Sequence, residues 1–297
     1  MARAFAYLVL CLVAFRPLVA TAQSFETVGI RAQGMGGAFV ALADDATATW
    51  WNPAGLATGA YFNALIEYDR PRTPPDSSVK GIAVAMPSLG LSYYRLPINQ
   101  MRPAASTGDT AERRQDQGVL SVYGATVGQS LGSHLVVAST LKLLRAGDTH
   151  GDLDVGAMAK IGAARVGLTV RNVRKPTIET DGDPLILERQ ARAGVALGAS
   201  PGTRVASIAV ALDADLMTVH TWAGDARRVA GGVEAWVGKR ALGIRGGVGR
   251  NTIGAKQSTY SGGFSAAFRA GTYVDGQLTK GSDESRRGWG LALRMTF

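Results

Sequence analysis

The sequence predicts an all-β fold, a 14-stranded antiparallel transmembrane β-barrel with an N-terminal lumenal plug. Three observations carry the prediction. From residue 62 onward, large apolar residues alternate with small or polar ones in segment after segment. The connections between these segments alternate long and short. The composition (38 glycines, 7% aromatics, mean hydropathy +0.06) comes with no apolar run of about 18 residues, which sets spanning helices aside. Strands that alternate lipid-facing and lumen-facing residues have such bland averages. A soluble β-sandwich explains alternation but gives no reason to sort its loops by length.

Residues 1–22 have the three parts of a secretory signal peptide. Arg3 supplies the basic start, Ala4 to Phe15 an apolar run, and Ala20-Thr21-Ala22 a cleavage site, so the mature chain is expected to begin at Gln23. The single cysteine, Cys11, leaves with this leader, and neither a disulfide nor thiol chemistry is expected. The formal charge of +9 is scattered without a Lys/Arg run, which argues against nucleic acid as a partner.

Residues 23–60 are expected to form the plug and 61–297 the barrel. The fourteen strands are expected at 62–69, 78–86, 88–97, 118–128, 133–145, 152–161, 163–171, 188–199, 203–214, 226–237, 240–250, 257–269, 271–280 and 285–297. Most suit a tilted strand of about 9–11 residues across a bilayer. In the last, Trp289, Leu291, Leu293, Met295 and Phe297 share one face against Gly290, Ala292, Arg294 and Thr296 on the other. A strand closing on Phe297 resembles the C-terminal signal of outer-membrane barrels, which implies the barrel-assembly machinery and membrane lipids as partners.

Long connections are expected at 70–77, 98–117, 146–151, 172–187, 214–225, 251–256 and 281–284. Short ones are expected near Pro87, 129–132, Gly162, 200–202, 238–239 and Ala270. Outer-membrane barrels pair short periplasmic turns with longer outer loops. The expected location is therefore the cell outer membrane, with both mature termini periplasmic. Tyr61, Phe62, Tyr68, Tyr93, Trp236, Trp289 and Phe297 are candidates for the interfacial aromatic girdles.

Extending the alternation puts Lys142, Lys160, Arg165, Arg171, Arg192, Arg245 and Arg294 on the lumen face, against Glu67, Asp213 and Glu234. Two readings follow: a mildly cationic lumen that favours anionic solutes or a carboxylate head group, or wall residues that pair with the plug. Asp148, His150, Asp152 and Asp154 have spacing compatible with a calcium site but lack a full calcium-loop pattern, so a polar turn is expected and no metal is assigned. Arg113-Arg114, Arg227-Arg228 and Arg286-Arg287 fall on the outer side, where they either grip lipid phosphates or form a solvated rim of mixed sign. His134 and His220 belong to no catalytic motif; neither an enzyme nor a cofactor is expected.

The stretch Gly29–Ala57, GIRAQGMGGAFVALADDATATWWNPAGLA, differs from everything after it. Asp45 is expected to cap a short helix over Ala46–Trp51, and Asn52-Pro53 to end it. Gly34, Gly36 and Gly37 would let backbone pass close to the wall. Asp44 and Asp45 are either structural or gate the pore by pairing with lumen cations.

This stretch resembles the N-terminal hatch signature of the long-chain fatty-acid transporter (FadL) superfamily, and its GMGGAFVALADD and NPAGL variants are most similar to the PorV-type branch. On matching positions the resemblance picks out Arg31, Gly34, Gly36, Gly37, Asp44, Asp45, Asn52, Pro53 and Gly55. It implies a fourteen-stranded barrel with a hatch, passing or capturing fatty-acid-like hydrophobic or amphipathic small molecules. The alternative it implies is a PorV-type barrel, which acts as a partner or shuttle for secreted proteins. The longest outer connection, 98–117, is polar and lacks an amphipathic capture helix. In transporter members a kink in the third strand opens the wall; here Gly90 and Pro97 are the residues available to distort it.

Overall fold

The computed structural model describes residues 28–72, 78–98, 118–179, 184–199, 205–221, 224–282 and 287–297. The leader, most of the 98–117 connection, Arg113, Arg114 and Arg286 lie outside the described residues. Fourteen antiparallel strands close into a barrel, each paired with its chain neighbours and the first paired with the last. They are β1 (Asn63–Pro71), β2 (Val79–Met86), β3 (Leu89–Pro97), β4 (Val119–Leu131), β5 (Leu135–Ala146), β6 (Asp148–Ile161) and β7 (Ala164–Arg171). The second half comprises β8 (Gln190–Ala199), β9 (Val205–Asp215), β10 (Arg228–Val237), β11 (Leu242–Asn251), β12 (Ser258–Arg269), β13 (Thr272–Gly281) and β14 (Gly288–Thr296). Closure leaves no free strand edge, the condition for backbone inside a bilayer.

Period-two patterning becomes an inside and an outside. Leu141, Leu197, Leu212 and Leu278 project outward and are about 60% exposed or more, as expected of an apolar band facing lipid. Inward positions carry small, polar and charged residues instead. The register β1 makes with β14 pairs Asn63 with Thr296 and Pro71 with Gly288, so the terminal strand seals the ring over its full length.

Three local expectations are corrected. The connection 146–151 is a tight turn rather than a long loop, since Ala146 pairs directly with Asp148 across Gly147 at φ +90. Third-strand distortion is absent: β3 pairs with β4 residue for residue from Leu89 to Pro97. Gly90 instead makes room for Leu56 and Thr49 on the lumen side. Trp236 is not a girdle residue; it points inward, 2% exposed, with Tyr273 edge-on at 5.4 Å and Arg240 over its ring.

Candidate functional site

Residues 28–59 occupy the barrel interior. Hydrogen bonds tie them to β1, β9 and β6. Glu67 of β1 accepts from Gly29 N and Ile30 N at 3.0 and 3.3 Å. Asp213 of β9 accepts from Phe39 N and Val40 N at 2.7 and 2.8 Å. Asn52 Nδ2 donates to Ala157 O of β6 at 3.1 Å. Carboxylates satisfying backbone donors that helices and strands leave over is the usual remedy for an irregular buried segment.

Within the segment, α1 (Ile30–Gly34) and α2 (Ala48–Trp51) are single turns, followed by a 3₁₀ turn over Pro53–Thr58. The second helix is shorter than Ala46–Trp51, with Thr47 at its N-cap making no side-chain cap bond. Asp45 holds the preceding turn, accepting from Thr47 N at 2.9 Å. Asn52 ends α2 in an extended conformation and caps the 3₁₀ turn that Pro53 begins, as its position before proline dictates. The glycines sit where no Cβ fits. A Cβ on Gly55 would lie 1.8 Å from Ala43 O, and one on Gly36, at φ +70, would lie 2.5 Å from Val248 N on β11. Gly34 packs on Arg245, and Gly37 also has a positive φ.

Arg31 is the hub. Its Nε and Nη2 reach Glu234 of β10 in a bidentate pair at 2.7 Å each, and Nη1 reaches Asp44 at 2.5 Å and Asp45 at 3.3 Å. Burial opposes its charge, but Asp44 and Glu234 more than offset this, so its pKa is raised and the guanidinium stays charged. From Glu234 the network continues to Arg245 at 3.4 Å, through Ser265 to Asp275, and on to Arg294 at 2.7 Å. A second cluster joins Lys142 to Asp152 and Asp154 at 2.7 and 2.6 Å, and Asp154 to Arg171 at 3.4 Å. The Arg171 guanidinium stacks 3.7 Å from the Trp50 ring of the segment. Arg192 pairs with Asp215 at 2.6 Å.

The expected lumen residues Lys142, Arg171, Arg192, Asp213, Glu234, Arg245 and Arg294 are all buried inside the barrel. Lys160 shares their parity but lies exposed at the turn end of β6. Arg165 is partly buried and reaches Asp44 at 3.7 Å. The cationic lumen is corrected: the inward bases pair with Glu234, expected on that face, and with Asp152, Asp154, Asp215 and Asp275, which are not among the expected lumen residues. Asp152 and Asp154 fall in the expected strand 152–161 and share the parity of Lys160, but reading Asp148, His150, Asp152 and Asp154 as a polar turn leaves them out of the lumen set. Asp275 was legible in principle, since it alternates with Val274 and Leu278. Among the described residues no group of His, Cys, Asp or Glu converges as a metal site. His220 pairs with Asp225 at 2.6 Å on an exposed outer hairpin.

The opposite side of the lumen is richer in apolar residues, with Lys142, Thr126 and Thr140 buried among them. Val79, Leu96, Ile98, Leu120, Val122 and Leu144, near the loop ends of β2–β5, form one buried cluster. A small hairpin between β7 and β8 adds Ile178 and Leu185 to it. The cluster descends through Tyr94 and Trp50, which meet edge-on at 5.5 Å, to Leu56. Ala54, Ala138 and Met158 continue it toward the turn end. Buried apolar residues thus form a lane along one wall of the lumen, bordered by Lys142 and the bonded pair Thr126 and Thr140.

The fold has counterparts among solved structures. The chain matches the CymD monoaromatic hydrocarbon channel with a TM-score of 0.62 at 13% identity, over 93% of this chain and 99% of that one. It shares the barrel fold of that protein. A Pseudomonas aeruginosa FadL homologue matches with TM-score 0.59 at 11% identity, over 91% and 98% of the two chains. The Ralstonia pickettii toluene transporter TbuX matches with TM-score 0.57 at 11% identity, over 92% and 99%. No protein-family model and no curated protein sequence matches the chain. At these identities the FadL-type likeness is one of fold.

Proposed function

We propose that this protein is an outer-membrane channel for apolar or amphipathic small molecules, closed by residues 23–60 acting as a plug and held by Arg31. The observation that carries the reading is the apolar lane from the loop mouth along β2–β5 to Trp50 and Leu56. An apolar solute loses little on leaving the bilayer or a partitioned state for such a surface, whereas water and ions gain nothing there. The structures of similar fold are named as hydrocarbon channels and toluene transporters, which supports this solute class.

In this reading transit requires the segment to shift, because its 3₁₀ turn stands at the foot of the lane. The charged network keeps the other side of the segment fixed, so movement is confined to the Trp50–Leu56 side. The leader and the periplasmic placement of both termini belong to the same proposal.

Proteoliposomes containing the barrel should admit toluene or a medium-chain fatty acid faster than empty vesicles, with glucose flux unchanged. Equal rates would overturn the reading. Mass spectrometry of barrel purified from its native membrane gives a second arm: a co-purifying apolar molecule supports transport, and a stoichiometric secreted protein supports the PorV-type partner role instead.

A further inference from the structure

Charge on the barrel wall is sorted by face and by end. Every Asp and Glu carried by the fourteen strands has inward parity, from Glu67 and Asp69 on β1 to Asp275 on β13. The outward face carries cations instead: Arg70, Lys80, Arg95, Arg145, Arg250 and Lys280, all exposed. Each stands within three residues of the end of its strand, and always at the end that bears the long connections. At the other end Arg269, at a register shift in β12, and Lys160 of β6 are exposed, with Lys239 and Arg240 in the adjoining turn. Beneath the cations lies a belt of outward aromatics. Tyr68 meets Trp289 at 5.9 Å and Tyr93 meets Tyr123 at 4.9 Å, as at a membrane interface.

An outward cation at this height faces lipid headgroups. Snorkelling alone would place cations at both interfaces, and solubility alone would mix both signs. Exposed Asp148, Glu179 and Asp225 stand at the same end, but none has outward parity on a barrel strand, so the lipid-facing rim there is cationic and suits an anionic leaflet. The best-formed point on the rim is a concavity of about 630 Å³ across β13, β14 and β1, lined by Arg70, Arg72, Lys280 and Arg287 above Trp289. Arg70 and Trp289 are paired across β1 and β14, and Leu278 pairs with Trp289 from the other side. Among the described residues no acidic side chain lines the concavity. Arg287 is held in place, its Nε donating to Gly281 O at 3.2 Å while its carbonyl accepts from Arg72 N.

We propose that this concavity binds the phosphorylated headgroup of an outer-leaflet lipid, whose acyl chains descend the apolar wall along Leu278, Leu291 and Ile66. Guanidinium groups suit phosphate because their donors engage two oxygens at once. The aromatic floor and exposed leucines below favour a phosphate that carries chains over a free one. The proposal rests on the membrane-channel reading above, and on nothing about what the lumen passes.

The test is native mass spectrometry of the purified full barrel, titrated with diphosphoryl lipid A. Wild type should retain the lipid, and Arg70→Gln/Lys280→Gln should lose about tenfold in retention, as expected for removing charge-assisted contacts. Arg145→Gln, on the same face but outside the concavity, should retain it. Unchanged binding by the double variant, or equal binding of a dephosphorylated lipid by wild type, overturns the proposal. Competition by inorganic pyrophosphate at equal concentration would assign the site to soluble phosphate and also overturn it. If the double variant does not fold, which a heat-dependent gel shift reports, the wild-type arms still decide. Solute flux measured on the same preparations separates failure of this site from failure of the channel reading.

Discussion

The two sides of the lumen hold the same segment by opposite means. On the β9–β14 side, Arg31, Glu234, Arg245, Asp275 and Arg294 form a buried charged chain, and Asp213 takes two backbone donors. On the β2–β5 side the contacts are mainly apolar, Leu56 against Gly90 and Trp50 against Tyr94, with one hydrogen bond from Thr140 Oγ1 to Thr49 O at 3.2 Å. The charged side is directional and expensive to break piecemeal, because each loss strands a buried partner. The apolar side is non-directional and can be replaced, contact for contact, by an apolar solute. The difference says which side is the anchor and which the passage.

Removing the hub should have the largest effect. Arg31→Met strands Glu234 and Asp45, at a cost of about 3–5 kcal/mol. It should lower the temperature of the gel-shift transition and expose residues 28–59 to protease. Adding Glu234→Gln should recover part of the loss, and a single variant as stable as wild type would break the anchor assignment. Asp213→Ala comes next, orphaning the Phe39 and Val40 donors at about 1–3 kcal/mol each; protection of these two amides from hydrogen exchange should fall. In the lane, Leu144→Gln buries a polar group in the path. Toluene flux should drop about tenfold, matching a barrier rise of about 1–2 kcal/mol, while protease protection of residues 28–59 stays as in wild type. Undiminished flux would move the passage elsewhere. Smallest is Asp44→Asn: Asp44 is 28% exposed at its side chain and its pair with Arg31 is partly screened. A change of about 0–1 kcal/mol in stability is expected, and a larger one would make Asp44 a structural part of the anchor.

Much of this was legible because a barrel strand is written in period two. Strand number, the outward face and the inward position of Lys142, Arg171, Arg192, Asp213, Glu234, Arg245 and Arg294 all follow from alternation, since a one-residue slip would turn every side chain to the wrong face. The glycines of residues 29–57 were equally readable, because Gly36 at positive φ and Gly55 against Ala43 leave no room for a Cβ. Periodicity failed where a glycine ended a strand abruptly. At Gly147 a one-residue turn reads as part of a connection, and the run Asp148, His150, Asp152 and Asp154 reads as a polar turn although Asp152 and Asp154 share the inward parity of Lys160.

By itself, then, the sequence determined the ring, its two faces and the segment that does not belong to either. Only the tertiary structure decided who meets whom inside. Arg31 lies 203 residues from Glu234 along the chain, Phe39 lies 174 from Asp213, and local patterning carries no information on such pairings. It likewise decided that the lumen is not cationic. Charge balance in a closed space is a sum over all fourteen strands and the segment they enclose, and no single strand contains that sum.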